Sequence, residues 1–310
     1  MISAKLLIFF LFVSAETLIG IIFNAGIFIV NFKDWKRGIS LKPIDRIQMT
    51  MGLVYIFLQC AMVVDFLTEL FSAFFPKNAI FLSLFFIFFL FYFSNWLTAC
   101  LCVYYVTSIA NFTHHFFIWL KSNISSVVTK FMLVFAVGSF ILSIPFMWNI
   151  DIKNQTETSE NTTAKSYGIQ VNRLSEMIST SLGLFLPYTL SSVCLGYTLT
   201  YIFRHVWRIK HNDSGISRPN LQAHIRAART MTLLLALFLI LYSGQIVEFA
   251  TTKQVENYSF LVSQFLFFSF PTAEAIIIVQ ASAKLRKAFQ LKISLVRRMK
   301  CRTQHADNLC

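Results

Sequence analysis

NWLTACLCVYYVTSIANF, Asn95 to Phe112, is apolar almost throughout, yet it runs straight into THHFFIWLKSN, residues 113–123. A buried helix of a soluble domain does not lead into a polar stretch still studded with aromatics. A helix leaving a bilayer does, because Trp and Phe favour the headgroup layer. The rest of the chain agrees. Of its 310 residues 56% are hydrophobic and 35 are Phe, with a mean hydropathy of +0.63. A soluble core could not cover that much apolar surface, which excludes an ordinary soluble enzyme.

The formal net charge is +13, from 27 Lys and Arg against 14 Asp and Glu. In a soluble protein this would point to nucleic acid. Here the basic residues sit in short gaps between apolar runs, as topology determinants do, so no nucleic-acid partner is expected. The runs long enough to cross ~30 Å of hydrocarbon are residues 6–30, 44–68, 79–108, 127–150, 176–203, 230–250 and 258–281. They predict an all-α, seven-transmembrane helix bundle, one domain over 1–310 with a tail at 282–310, embedded in the lipid bilayer of the cell membrane. The first run continues far past its small-residue "VSAE" site and is too long for a signal-peptide core.

Lys33, Lys36, Arg37, Lys42 and Arg46 fall in the first gap, Lys121 and Lys130 in the third, and Arg204, Arg208, Lys210, Arg218, Arg226 and Arg229 in the fifth. The tail is basic as well. Only Lys5, Lys77, Lys153, Lys165, Arg173 and Lys253 lie on the other side. The asymmetry predicts an outside N-terminus and a cytosolic C-terminus. Outer sequons then fall at Asn154, Asn161 and Asn257. Asn161 in the polar run NQTETSENTTAK is the favoured glycosylation site and Asn154 the second, on a segment expected to be an exposed loop. Cys60, Cys100, Cys102 and Cys194 lie in apolar runs. Cys301 and Cys310 lie in the tail, as free thiols or, alternatively, palmitoylated.

Strongly polar residues within spans are costly in lipid and therefore functional candidates. Glu16, Asn24, Gln59, Asp65, Glu248, Gln264 and Glu274 stand out. Asp65, Glu248 and Gln264 fall in the outer halves of their spans, with Glu69 and Glu176 at the rim. This suggests an outer cavity of negative potential. Glu16, Asn24, Tyr55 and Glu274 lie deeper and read as interhelical polar contacts that hold the bundle together. No catalytic constellation appears: the six histidines have no carboxylate or Cys at metal-ligand spacing, and there is no G-x-S-x-G or Gly-rich phosphate loop. Neither an enzyme, a metal nor a cofactor is expected.

The opening stretch resembles the third helix and second inner loop of the bitter taste receptors, the type 2 taste receptor family of G-protein-coupled receptors. The likeness rests on Trp96-Leu97-Thr98-Ala99-Cys100-Leu101, Tyr104-Tyr105, Ile109-Ala110-Asn111-Phe112 and Trp119-Leu120-Lys121. It extends through Glu16, Gly20-Ile21, Asn24, Asn31 and Trp35, then Leu186-Pro187-Tyr188 with His205 and Asn212, AHIRAARTMT (223–232) and Lys284-Leu285-Arg286. The rhodopsin-like Asp-Arg-Tyr, Cys-Trp-x-Pro and Asn-Pro-x-x-Tyr motifs are absent. Tyr55 stands where the family usually has Arg, Glu274-Ala275 where it has His-Ser, and Ile87 and Phe91 where it has Trp and Asn. The departures suggest a divergent, non-mammalian branch.

The resemblance implies a receptor for small bitter agonists that activates a heterotrimeric, gustducin-like G protein; homo- or hetero-oligomers are left open. Asp65, Phe66, Glu69, Ile87, Phe91, Glu176, Tyr242, Gln245 and Gln264 are the expected ligand residues. Their aromatic walls and carboxylates suit amphipathic, cationic compounds. Tyr105, Asn111, His205, His224, Arg226, Arg229 and Lys284 are expected to face the G protein. Glu274 is expected to be protonated, or hydrogen-bonded to Tyr55 or Asn24. A vomeronasal-type pheromone receptor shares the coarse architecture, and a transporter or channel is the reading from another class.

Overall fold

The computed structural model describes residues 4–70, 76–109, 115–148, 150–159, 162–171, 173–211, 218–250 and 258–290. Its long helices are α1 (Ala4–Lys36), α2 (Pro43–Leu70), α3 (Lys77–Ile109) and α4 (His115–Ser143), followed by a short α5 (Pro145–Trp148). After a hairpin come α6 (Arg173–Thr180), α7 (Leu186–His211), α8 (Arg218–Ala250) and α9 (Tyr258–Ala281). Residues 283–290 form one more short helix.

The chain is a multi-pass membrane protein. Among the described residues six helices are long and apolar enough to span: Phe9–Lys36, Pro43–Thr68, Asn78–Ile109, Ile118–Ser143, Met177–Arg204 and Val262–Ala281. The expected span at 230–250 lies within α8, where the apolar stretch among described residues is the shorter Ala228–Gly244. α3 carries the opening stretch and is the hub, packed against α2, α4 and α7, while α1, α2, α9 and α8 close the rest of the ring. This is why Ser94, Asn95, Leu97, Thr98, Leu101 and Cys102 are all buried. α4 sits at the edge and turns Phe131, Leu133, Val134, Val137, Phe140 and Ile141 outward. Exposed apolar side chains on such a helix are matched to hydrocarbon rather than to water.

Two expectations need correction. The segment expected to be an exposed loop is an antiparallel hairpin, β1 (Ile150–Ser159) with β2 (Thr162–Val171), paired from Ile150↔Val171 to Ser159↔Thr162. The hairpin lies outside the candidate spans, all of which are helical. Thr and Ile occur on both strands and Val171 closes the second, and branching at Cβ favours extended backbone. Asn154 lies on β1 opposite Tyr167, whereas Asn161 lies outside the described residues. Secondly, α4 begins at His115, so the aromatic run after 115 is helical and continuous with the span. No Pro or Gly interrupts it before Gly138, so the helix has no reason to stop at the membrane boundary.

Two proline sites distort the bundle locally. Before Pro187, Ser181–Phe185 is a π-helical turn in which the Leu186 N–H donates to Ser181 O. Gly183 in that turn sits against Tyr92; a Cβ there would lie 2.4 Å from the ring. Pro271 interrupts the hydrogen-bond ladder inside α9 and supplies no N–H to Phe267.

Candidate functional site: a polar seam and two helix-bundle ends

Where α2, α3 and α9 meet, Glu274 is fully buried with Tyr55 and Thr98. The Tyr55 hydroxyl donates to Glu274 Oε2, and Thr98 Oγ1 lies 3.0 Å from Glu274 Oε1. Of the two partners expected for Glu274, Tyr55 is the one in contact. Asn24 turns instead to Gly20 O at 3.0 Å and Pro271 O at 3.5 Å. Thr98 is a partner that sequence reasoning missed, although it lies within the opening stretch. Thr98 Oγ1 is also 3.0 Å from Ser94 O, so its single hydrogen faces two acceptors. A carboxylic acid proton on Glu274 would complete that set.

A second layer lies along α1. Glu16, Gly20 and Asn24 are spaced four apart and share one face. A Cβ at Gly20 would fall 2.0 Å from Gln59 Nε2 and 2.1 Å from Thr272 Oγ1, so the glycine opens the notch in which these two side chains meet. Gln59 donates to Thr272 across 2.9 Å, joining α2 to α9. At Gly52 the backbones of α1 and α2 approach closely, and a Cβ would stand 2.8 Å from Asn24 O. Asn24, Gln59, Tyr55 and Glu274 thus bridge helices, and Gly20 and Gly52 make room for the first two.

The expected ligand residues separate into groups. Ile87 and Phe91 are buried on α3, with Phe91 edge-on to Phe267 of α9 at 4.8 Å. Tyr242 on α8 meets Phe185 at 5.4 Å and Tyr188 at 6.0 Å. Asp65 accepts from Ser83 of α3 at 3.2 Å. Gln264 is half-buried on α9. Phe66 is not brought to this group: it stacks on Phe10 of α1 at 5.5 Å and meets Phe9 at 6.1 Å. The side chains of Glu69, Glu176, Gln245 and Glu248 lie outside what the structure describes. From Tyr242 a chain of ring contacts continues through Tyr188, Phe238 and Phe270 to Tyr55, each at 5.7–6.3 Å after the first. It links the expected ligand region to the Glu274 cluster by direct packing.

The other end of the bundle is basic. Arg229 is exposed on α8, and Tyr105 is half-buried on α3. Asn111 lies outside the described residues, as do the side chains of His205, His224 and Arg226. Lys284 is not turned outward as expected. Its Nζ lies 2.7 Å from Asp34 Oδ2 and 3.5 Å from Asp45 Oδ1, and it donates to Asn31 Oδ1 at 2.7 Å. Phe289, one turn further, fills the space over Gly26 and stacks on Phe23 at 5.3 Å. The 283–290 helix is thereby fastened to α1 and to the start of α2. Close by, a cleft of about 420 Å³ is lined by Trp35, Gly38, Ile39, Ser40, Leu41, Arg46 and Met49. It stands at the opposite end of α2 from Asp65 and apart from every residue assigned to agonist binding. Among the described residues no group of His, Cys, Asp or Glu could hold a metal ion.

Comparison with known proteins places these features in context. Residues 1–297 match the family described as Taste receptor protein (TAS2R). Taste receptor type 2 member 2 of Homo sapiens is 24% identical over 311 residues, covering 96% of this chain and 99% of that protein. Taste receptor type 2 member 9 of Homo sapiens is 28% identical over 308 residues, covering 96% of each. Taste receptor type 2 member 7 of Mus musculus is 25% identical over 280 residues, covering 88% of this chain and 90% of that protein.

Proposed function

The chain belongs to the type 2 taste receptor family, and on that premise we propose that it is a bitter taste receptor coupled to a gustducin-type G protein. The match over residues 1–297 carries the reading, because it takes in both bundle ends and the seam between them. In this reading α8 supplies the sixth of seven spans, the hairpin end faces outward and the basic end faces the cytosol. A tag at the C-terminus should then be inaccessible to antibody on intact cells, and any glycan should map to residues 151–173. Surface labelling of the tag would refute the arrangement.

An agonist entering among α2, α3, α8 and α9 would meet Ile87, Phe91, Tyr242 and Gln264, with the Asp65 carboxylate to one side. Its binding would favour one arrangement of the bundle over another only through contacts that differ between the two. The ring chain from Tyr242 to Tyr55 provides a packed route by which such a difference would reach the Glu274 cluster. Aromatic walls beside a carboxylate suit apolar amines and quaternary ammonium compounds, with neutral polycyclics the next class.

The test is calcium release in cells supplying a gustducin-type α subunit, screened with cationic and neutral bitter compounds. Surface-expressed receptor silent to the whole panel would overturn the reading. Asp65→Asn in the same assay should raise the half-maximal concentration of a cationic agonist roughly tenfold, the effect of losing one partly desolvated charge pair. A neutral agonist should be unaffected. Equal shifts for both, or none, would leave the acidic-pocket idea without support.

A further inference from the structure

The cleft at the basic end is built by a defined turn. α1 stops at Gly38, whose φ of +75° is open to glycine at little cost. The Ile39 N–H donates to Asp34 O at 3.1 Å and the Gly38 N–H to Trp35 O at 3.0 Å, the paired closure of a glycine-ended helix. The turn throws Ile39 outward beside Trp35, leaving them 54% and 58% exposed. Pro43 then starts α2, and Arg46 comes up from its first turn to line the same cleft.

Three observations say what fits there. The first is charge. Lys284 takes up Asp34 and Asp45, the only acids of the 33–46 segment, so its basic residues are left uncompensated. Lys33, Lys36, Arg37 and Lys42 are exposed and form no ion pair among the described residues. Secondly, Arg46 spends one donor on Thr129 Oγ1 at 3.2 Å and keeps others of its planar fork for an anion. The third is an apolar lead-in. Phe28, Phe32 and Trp35 follow one another along α1, with ring centroids 5.4 and 5.6 Å apart, from the depth of the span to the mouth of the cleft. A free anion has no use for that ladder. A molecule with an anionic head and a hydrocarbon tail uses both parts.

We propose that this cleft seats an anionic phospholipid, its phosphate at Arg46 and the lysines of the α1 end, its acyl chain along Phe28, Phe32 and Trp35. Clusters of Lys and Arg just beyond a span attract anionic headgroups through the negative surface potential of the leaflet. The bound lipid would brace the turn between α1 and α2, and through Lys284 the 283–290 helix. The inference rests on the membrane-embedded reading of the chain and not on its ligand or its G protein.

The full chain, purified in mild detergent, is examined by native mass spectrometry with phosphatidylinositol bisphosphate, phosphatidylserine and phosphatidylcholine added in turn. Wild-type protein should retain one anionic lipid in preference to phosphatidylcholine. Arg46→Gln should weaken that retention about fivefold, the usual effect of one basic side chain at a charged surface. Trp35→Ala should weaken it too, and gives a second route if Arg46→Gln fails to fold. Lys121→Gln, on α4 and outside the cleft, should change nothing. Unaltered retention in both cleft variants would overturn the proposal. So would displacement of the lipid by inositol hexakisphosphate at equal concentration, which would mark a free-anion site instead. Because the readout needs neither agonist nor G protein, its failure would leave the receptor assignment standing.

Discussion

Glu274→Leu is expected to bring surface expression down to background, whereas Glu274→Gln should retain most of it. The carboxyl group is wholly enclosed and serves two hydroxyls, from Tyr55 on α2 and Thr98 on α3. Leucine fills much of the same volume but removes the acceptor of the Tyr55 hydroxyl and leaves Thr98 only Ser94 O, and a buried polar group left without a partner costs about 1–3 kcal/mol. In a bundle whose helices are already committed to lipid, such a loss separates α9 from α2 and α3. Glutamine reproduces the pattern of a protonated acid: its carbonyl oxygen accepts from Tyr55, and its amide donates to Thr98, leaving the Thr98 hydrogen for Ser94 O. Tyr55→Phe in the Glu274→Leu background should restore part of the loss, since it removes one stranded hydroxyl. The coupling is measurable as a double-mutant cycle on thermal stability in detergent. Equal damage from Leu and Gln would count against a hydrogen-bonded role.

How much of this was readable in the sequence follows from the range of each interaction. Spans are long, and lipid imposes the same apolar requirement on every one of them, so uninterrupted runs place six helices without any knowledge of packing. Tyr55 and Glu274 were legible as a pair because two positions that are basic in the family it resembles had both changed. Their third partner was not. Thr98 looks like any threonine in an apolar helix bonded back to its own turn, and only the approach of α3 to α9 brings it the Glu274 carboxyl. Phe66 misled for a similar reason: it adjoins Asp65, but neighbouring residues on a helix point some 100° apart, and the rotation of α2 sends one to α3 and the other to α1. The hairpin was hidden by polarity. Its Thr, Asn and Glu residues read as solvent-exposed loop, while pairing of the backbone is set by branching and alternation that polar composition masks.

Lys284 is the sharpest difference between sequence and structure, and it yields the other large effect. In a tail rich in Lys and Arg nothing marks one lysine as different, yet this one reaches Asp34, Asp45 and Asn31 together. Single exposed ion pairs contribute little, and Lys284 is 34% exposed, so neither pair alone would matter much. The network differs because removing the lysine leaves two carboxylates, from α1 and α2, facing each other without a counter-ion. Lys284→Met should therefore release the 283–290 helix. Its amides should exchange hydrogen with solvent about tenfold faster, in proportion to the opening free energy. Surface expression should hold, because the membrane spans are untouched, while G-protein activation should fall with the loss of a fixed inner face. Adding Asp45→Asn to Lys284→Met removes one of the opposed charges and should slow the exchange again. Phe289→Ala, which empties the space over Gly26, should open the same helix by a separate route. A contact lysine would behave otherwise: Lys284→Met would then weaken G-protein activation with exchange at 283–290 unchanged, and the double variant would recover nothing.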